Sequence, residues 1–203
     1  MNRKNLLTIV LVALFATLGF LGVRTWIARN QKSLEQKERV VGSLNRIQLL
    51  DSKGRHVNMA DVHGNLIVYL GYSHCPDMCP LALSHLRLAM QENPELQNAA
   101  TSVFISVDPK RDSPDVLARY EQKFAPLKLH AFTGDLDSIQ TLATDLGASF
   151  ANAPAAGNTT VGEYGVNHSL FFYLIDSERH LLGTIPATAS PGAIAAELEN
   201  IFE

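Results

Sequence analysis

The chain has 203 residues, a formal net charge of -3 and 46% hydrophobic residues, enough length and apolar content for one well-filled domain plus an additional segment. With a pI near 6.2 and no basic stripe to neutralise a phosphate backbone, nothing in the composition supports nucleic-acid binding, and that class is set aside.

Leu6 to Val23 carries no charged side chain. As a helix it would extend about 27 Å, close to the thickness of a bilayer's hydrocarbon core. Arg3 and Lys4 precede it, Arg24 follows it, and Trp26 stands where an interfacial aromatic belongs. A secretory signal has a shorter apolar core and a small-residue cleavage site, to which Ile27-Ala28-Arg29-Asn30 is a poor match. Residues 1–27 are therefore expected to be a retained single-pass transmembrane anchor, 28–42 a polar stalk and 43–203 the folded domain. Basic residues on the two sides of the span offset each other. One N-terminal span ahead of a whole domain is the layout of an exported, tethered protein, so the domain is expected on the periplasmic side of the inner membrane, or in the mitochondrial intermembrane space.

Within the domain, Arg46–Asp51 and Arg55–Met59 flank Ser52-Lys53-Gly54, turn chemistry that predicts a hairpin, read as a small N-terminal addition. Asn65-Leu-Ile-Val-Tyr-Leu-Gly71 is a continuous apolar run of the kind found in strands buried on both faces. Ala82, Leu83, Leu86, Ala89 and Met90 then recur at helical spacing, and Thr101–Val107 is a second buried strand, giving a βαβ unit with a parallel pair. Ser113-Pro114-Asp115 opens a helix, with Ser113 as its cap and Pro114 at its first position, and Pro126 ends the segment. Asp137–Leu146 is a further helix stopped by Gly147. Ala151–Gly165 is read as a loop, Ser169–Ile175 and His180–Ile185 as an antiparallel pair around the turn Asp176–Arg179, and Ser190-Pro191-Gly192 as the start of a last helix ending near Phe202. This order predicts an α/β, thioredoxin-like domain: a mixed central sheet flanked by helices, with the closing hairpin distinguishing it from a fully parallel doubly wound fold.

The two cysteines stand as Cys75-Pro76-Asp77-Met78-Cys79, after a buried strand and at the entrance to a helix. Ligands gather outside the carboxyl ends of strands, and unpaired N–H groups at a helix N-terminus favour a thiolate. A disulfide staple across so short a loop would contribute only about 2 kcal/mol. That leaves redox chemistry and metal binding, because a thiolate is both nucleophile and ligand. Among the seven histidines, His56, His63, His130 and His180 fall in turn or strand-edge contexts and read as solvated. His85 reads as exposed on its helix, and His74 as pointing away from the sulfurs. His168 directly precedes a strand that in a thioredoxin-like sheet lies beside the cysteine pair, which leaves open a third ligand or an ordinary loop histidine.

Three motifs narrow the choice. Gly71-Tyr-Ser-His-Cys75-Pro-Asp-Met-Cys79-Pro80, Ser106-Val-Asp108-Pro-Lys-Arg111-Asp112-Ser-Pro114 and Val166-Asn-His168-Ser-Leu-Phe-Phe-Tyr173 closely resemble, in order, the motifs of the Sco/SenC family, copper proteins of cytochrome c oxidase assembly. The resemblance covers nearly all of 43–203. It implies that Cys75, Cys79 and His168 ligate copper, as Cu(I) or Cu(II), in a metallochaperone that passes the ion to the CuA-bearing subunit of an oxidase, with another copper chaperone or a thiol reductant as further partners. It also admits a thiol:disulfide oxidoreductase that keeps the oxidase's metal-site cysteines reduced through Cys75 and Cys79, or a copper or redox sensor. C-x-x-C is the usual thioredoxin-type spacing, so the one extra residue here favours the metallochaperone over the enzyme. Zinc suits the same donors, but a structural zinc site normally has four protein ligands. Many family members carry Asp where this chain has Asn167. Asp77 reads as a surface acid able to touch a partner, and Asp108 and Asp112 as residues fixing the loop after the second strand.

Overall fold

The computed structural model describes residues 17, 19, 20, 22–25, 39–154 and 164–202. They belong to two units, Met1–Glu38 and Arg39–Glu203. In the first, the described residues are helical, and the Thr25 hydroxyl donates to the Gly22 carbonyl at 2.9 Å. Most of the expected anchor Leu6–Val23 lies outside the described residues. Among those described, no helix is long and apolar enough to cross a membrane. Residues 39–42, counted with the stalk, are part of the folded unit: Val41 is fully buried, its N–H donates to the Arg179 carbonyl at 2.8 Å, and the Leu181 N–H donates to the Arg39 carbonyl at 2.9 Å.

The second unit contains strands β1 (Gln48–Asp51), β2 (His56–Asn58), β3 (Asn65–Gly71), β4 (Ala100–Ser106), β5 (Leu129–Thr133), β6 (Phe150–Pro154), β7 (Tyr164–His168), β8 (Phe171–Ile175) and β9 (Leu181–Pro186). Its helices are α1 (Met78–Glu92), a short α2 (Leu96–Ala99), α3 (Pro114–Gln122), α4 (Leu136–Leu146) and α5 (Pro191–Phe202). Seven strands form one mixed sheet in the order β2-β1-β5-β4-β3-β8-β9, while β6 and β7 form a separate two-stranded ribbon. β3, β4 and β5 run parallel, β8 lies antiparallel beside β3, and β9 pairs antiparallel with β8 at the sheet edge. This is the thioredoxin-like arrangement. Residues Leu66 to Leu70 of β3 are buried to within 1%, which explains their unbroken apolar run: both faces of a central strand are covered. α1 packs against α5, and α4 ends on Gly147 at φ +70°, a left-handed stop that suits glycine.

Three local expectations are corrected, and one strand is added. The first hairpin is not an addition to the domain, because β1 pairs with β5 at Leu50–Thr133 and Asp51–Phe132 and so extends the main sheet. β5 itself was not expected from the sequence. Ser113 makes no side-chain cap; the fixed φ of Pro114 starts α3, and the Ser113 carbonyl accepts from the Leu117 N–H at 3.0 Å. The loop expected over 151–165 contains most of β6 and the start of β7, joined by a ladder from Phe150–His168 to Pro154–Tyr164.

Candidate metal centre

Chain direction brings three segments to one end of the sheet. β3 and β4 run parallel, so the loops leaving their carboxyl ends are neighbours, and the Val107 N–H donates to the Gly71 carbonyl at 2.8 Å between them. β8 is antiparallel to β3, with Phe172 opposite Tyr69. The residues entering β8, His168 among them, therefore arrive at that same end.

Cys75 and Cys79 are both reduced. The first is half-buried and the second is fully buried at the start of α1. Asp77, which precedes α1, does not cap it with its side chain. The Cys75 sulfur accepts from the Cys79 N–H at 3.4 Å instead, taking one of the helix's otherwise unpaired donors. Gly71 makes this packing possible: a Cβ there would lie 3.0 Å from Cys79 Sγ and 2.9 Å from the Phe104 ring.

Cys79 Sγ lies 3.4 Å from His168 Nε2, and the ligand atoms of Cys75, Cys79 and His168 all fall within 4.8 Å of one another. His168 Nδ1 is 3.1 Å from the Ser169 carbonyl. A carbonyl only accepts, so Nδ1 donates there, and Nε2 is the ring nitrogen that faces the sulfurs. The imidazole also stands edge-on to Tyr69 and Tyr72, each with ring centroids 5.9 Å away. Beside the three donors opens a groove of about 410 Å³, bordered by Tyr72, Pro76, Met78, Val166 and Leu170. Asn167 is exposed at its rim. The Ser169 carbonyl orients the imidazole, so the neutral side chain at 167 does not remove the support of the histidine.

The two sulfurs differ in their electrostatics. Cys75 is lowered from the ordinary thiol value to about 3, first by the hydrogen bond donated from the Cys79 thiol, then, against the cost of burial, by His168 and the backbone N–H groups at the helix entrance. Cys79 is pushed up, first by its hydrogen bond with Cys75 and then by burial. The reduced pair is a thiolate beside a thiol.

The second motif is the buttress of this site. Asp112 is fully buried and accepts from the Ser73 N–H at 2.9 Å, the Ser73 hydroxyl at 2.6 Å and the Ser106 hydroxyl at 2.6 Å, tying the cysteine loop to the end of β4. Asp108 accepts from the Tyr164 hydroxyl at 2.6 Å and pairs with Arg111. The Arg111 guanidinium donates to the Tyr164 carbonyl at 2.9 Å and lies 3.8 Å from the centre of that ring, tying β7 to the same loop. Both acids thus hold loops, as expected. Tyr69, Tyr72, Tyr164 and Gly71 were not picked out from the sequence. A tyrosine inside the apolar run of β3 was the available signal, since a buried hydroxyl needs a partner; Tyr69 finds Cys79 Sγ at 3.8 Å.

The other histidines divide. His56, His63 and His130 are exposed. His74 Nδ1 lies 3.4 Å from Asp112 and 3.0 Å from the Ser73 hydroxyl, engaged with the loop support. His85 is not free on its helix: its Nδ1 contacts the Ala189 carbonyl at 2.8 Å. His180 is half-buried rather than solvated, 3.0 Å from Asp176 and 3.7 Å from Glu178. This second donor group closes the β8–β9 turn, where Asp176 also accepts from the Glu178 and His180 N–H groups.

Residues 36–203 match the SCO1/SenC family. The chain belongs to that family. Among its relatives, the mitochondrial protein SCO2 of Saccharomyces cerevisiae is 32% identical over 174 residues, 81% of this chain and 57% of that protein. The mitochondrial SCO2 homolog of Danio rerio is 30% identical over 171 residues, 82% of this chain and 60% of that protein. The chain thus spans about three fifths of the length of these relatives. Among solved structures, Arabidopsis thaliana ScoI with copper bound superposes with a TM-score of 0.66 at 26% identity, covering 76% of this chain and 95% of that one.

Proposed function

We propose that this SCO1/SenC chain binds copper through Cys75, Cys79 and His168 and hands it on as cargo. The observation that carries this reading is the convergence of two sulfurs and an imidazole nitrogen within 4.8 Å beside an open groove, in a chain whose structural relatives include a copper-bound Sco protein. Two soft sulfurs and a borderline nitrogen suit Cu(I), and the imidazole also suits Cu(II). Three protein donors leave a position on the groove side through which an ion can pass, unlike the closed four-donor set of structural zinc. The recipient is the CuA-bearing subunit of cytochrome c oxidase. Residues 1–27 tether the domain to the inner membrane, with the domain facing the periplasm or the intermembrane space; the apolar run Leu6–Val23 supports this.

His168→Ala is the decisive variant. It should leave the dithiol able to open and close while weakening copper by more than the roughly 10- to 100-fold that loss of an outer partner costs, and in cells lacking the parent protein it should fail to restore oxidase activity. Full copper binding together with full restoration would sink the three-donor reading. A second reading, thiol exchange with oxidase cysteines, draws on the half-buried Cys75 thiolate beside the buried Cys79 thiol, a nucleophile with a resolving partner. Cys75→Ser abolishes both functions, whereas His168→Ala abolishes only the first.

A further inference from the structure

Resting on the copper reading above, we propose that Met78 is a transfer ligand, its thioether taking Cu(I) at the groove as the ion enters or leaves the three-donor site. Met59 and Met90 are buried to 0% and 1% and fill the core. Met78 is not part of that core; it is partly exposed and borders the groove with Cys75 and His168. It also opens α1, a position that favours proline. A long apolar side chain there, contributing nothing to the interior, calls for another role.

The chemistry supplies one. Thioether sulfur is a soft donor for Cu(I), and it is neutral, so it needs no deprotonation. An ion leaving the site must shed an anionic sulfur, and with no soft neighbour it would do so undercoordinated. With Met78 at hand, one copper–thiolate bond would break as one copper–thioether bond formed, the two sulfurs would regain from solvent the single proton they share without metal, and copper would stay Cu(I). Cys79, the more deeply buried of the two cysteines, then marks the inner end of the path and Met78 the groove end.

The test loads the full-length chain with one equivalent of Cu(I), mixes it with excess bathocuproine disulfonate and follows the coloured chelate by stopped flow. Met78→Leu keeps the volume and removes the sulfur. Its transfer should be about tenfold slower, with equilibrium affinity by competition titration unchanged. Selenomethionine in place of methionine keeps a soft donor and should keep the parent rate. Equal rates in parent and Met78→Leu overturn the proposal, as does slow transfer from the selenomethionine protein. An affinity that falls in step with the rate would make Met78 a resident donor and overturn its transfer role. A parent chain that takes up no Cu(I) overturns the copper reading itself, an outcome distinct from the others.

Discussion

A thiolate at position 75 beside a thiol at 79 means that the pair holds one proton between its two titrations. Copper uptake by both sulfurs should therefore release about one proton from them near neutral pH, not two, which calorimetry in buffers of different ionisation enthalpy measures. Iodoacetamide should label the half-buried Cys75 well ahead of Cys79, with a rate that holds down to pH values where ordinary thiols are inert; equal labelling of the two would contradict the assignment. The sign of the stability effect follows. Cys75 titrates near 3 in the fold against an ordinary value of 9.0, so between those values the unfolded chain binds more protons. Its contribution to the reduced domain is full above about 9 and declines as pH falls through that window. Cys79 is shifted the other way, and its contribution is present below the ordinary value and lost as pH rises beyond it. Gly71→Ala should cost about 1–3 kcal/mol by thermal denaturation and displace Cys79, whose sulfur lies 3.0 Å from the added methyl. Copper affinity unchanged in that variant would show that the sulfur's placement tolerates movement.

Among the elements, the strands that could be read from sequence were those in unbroken apolar runs and those flanking a recognisable turn. β3, β4 and β8 sit between neighbouring strands, and their runs say so. β5 escaped because it carries exposed His130 among buried Leu129, Ala131 and Phe132, which breaks its apolar run. β6 and β7 escaped for a different reason: a ribbon outside the main sheet needs no apolar face of strand length, and residues such as Asn152, Gly165 and Asn167 resemble loop composition. The donors Cys75, Cys79 and His168 could be named from motif and order, whereas their supports could not, because Asp108 and Tyr164 meet across 56 positions of sequence. Those supports are testable at a distance from the sulfurs. Tyr164→Phe removes only the hydroxyl bonded to Asp108, and it should lower stability by about 1 kcal/mol while weakening copper by about tenfold through a loosened β7. Stability loss with copper affinity intact would confine Tyr164 to a structural role.

At the scale of the molecule, the folded unit begins at Arg39 and contains its own core, so a chain starting at Gln31 should be soluble, with the circular dichroism of a mixed α/β domain. The full chain should remain in the membrane fraction after salt washing. Its release as a shorter soluble form would indicate cleavage of the N-terminal segment. The cysteines belong to the main sheet and the helix it feeds, while the histidine belongs to the two-stranded ribbon. An ion held by all three would add one more tie, beside the Asp108–Tyr164 and Arg111–Tyr164 contacts, between the ribbon and the loops at the end of the sheet, and its loading state would be read in how firmly the ribbon is held. Amide hydrogen exchange in residues 164–168 should slow on loading while that of the central strands stays level. A protein of this design announces its cargo by the stiffness of one edge.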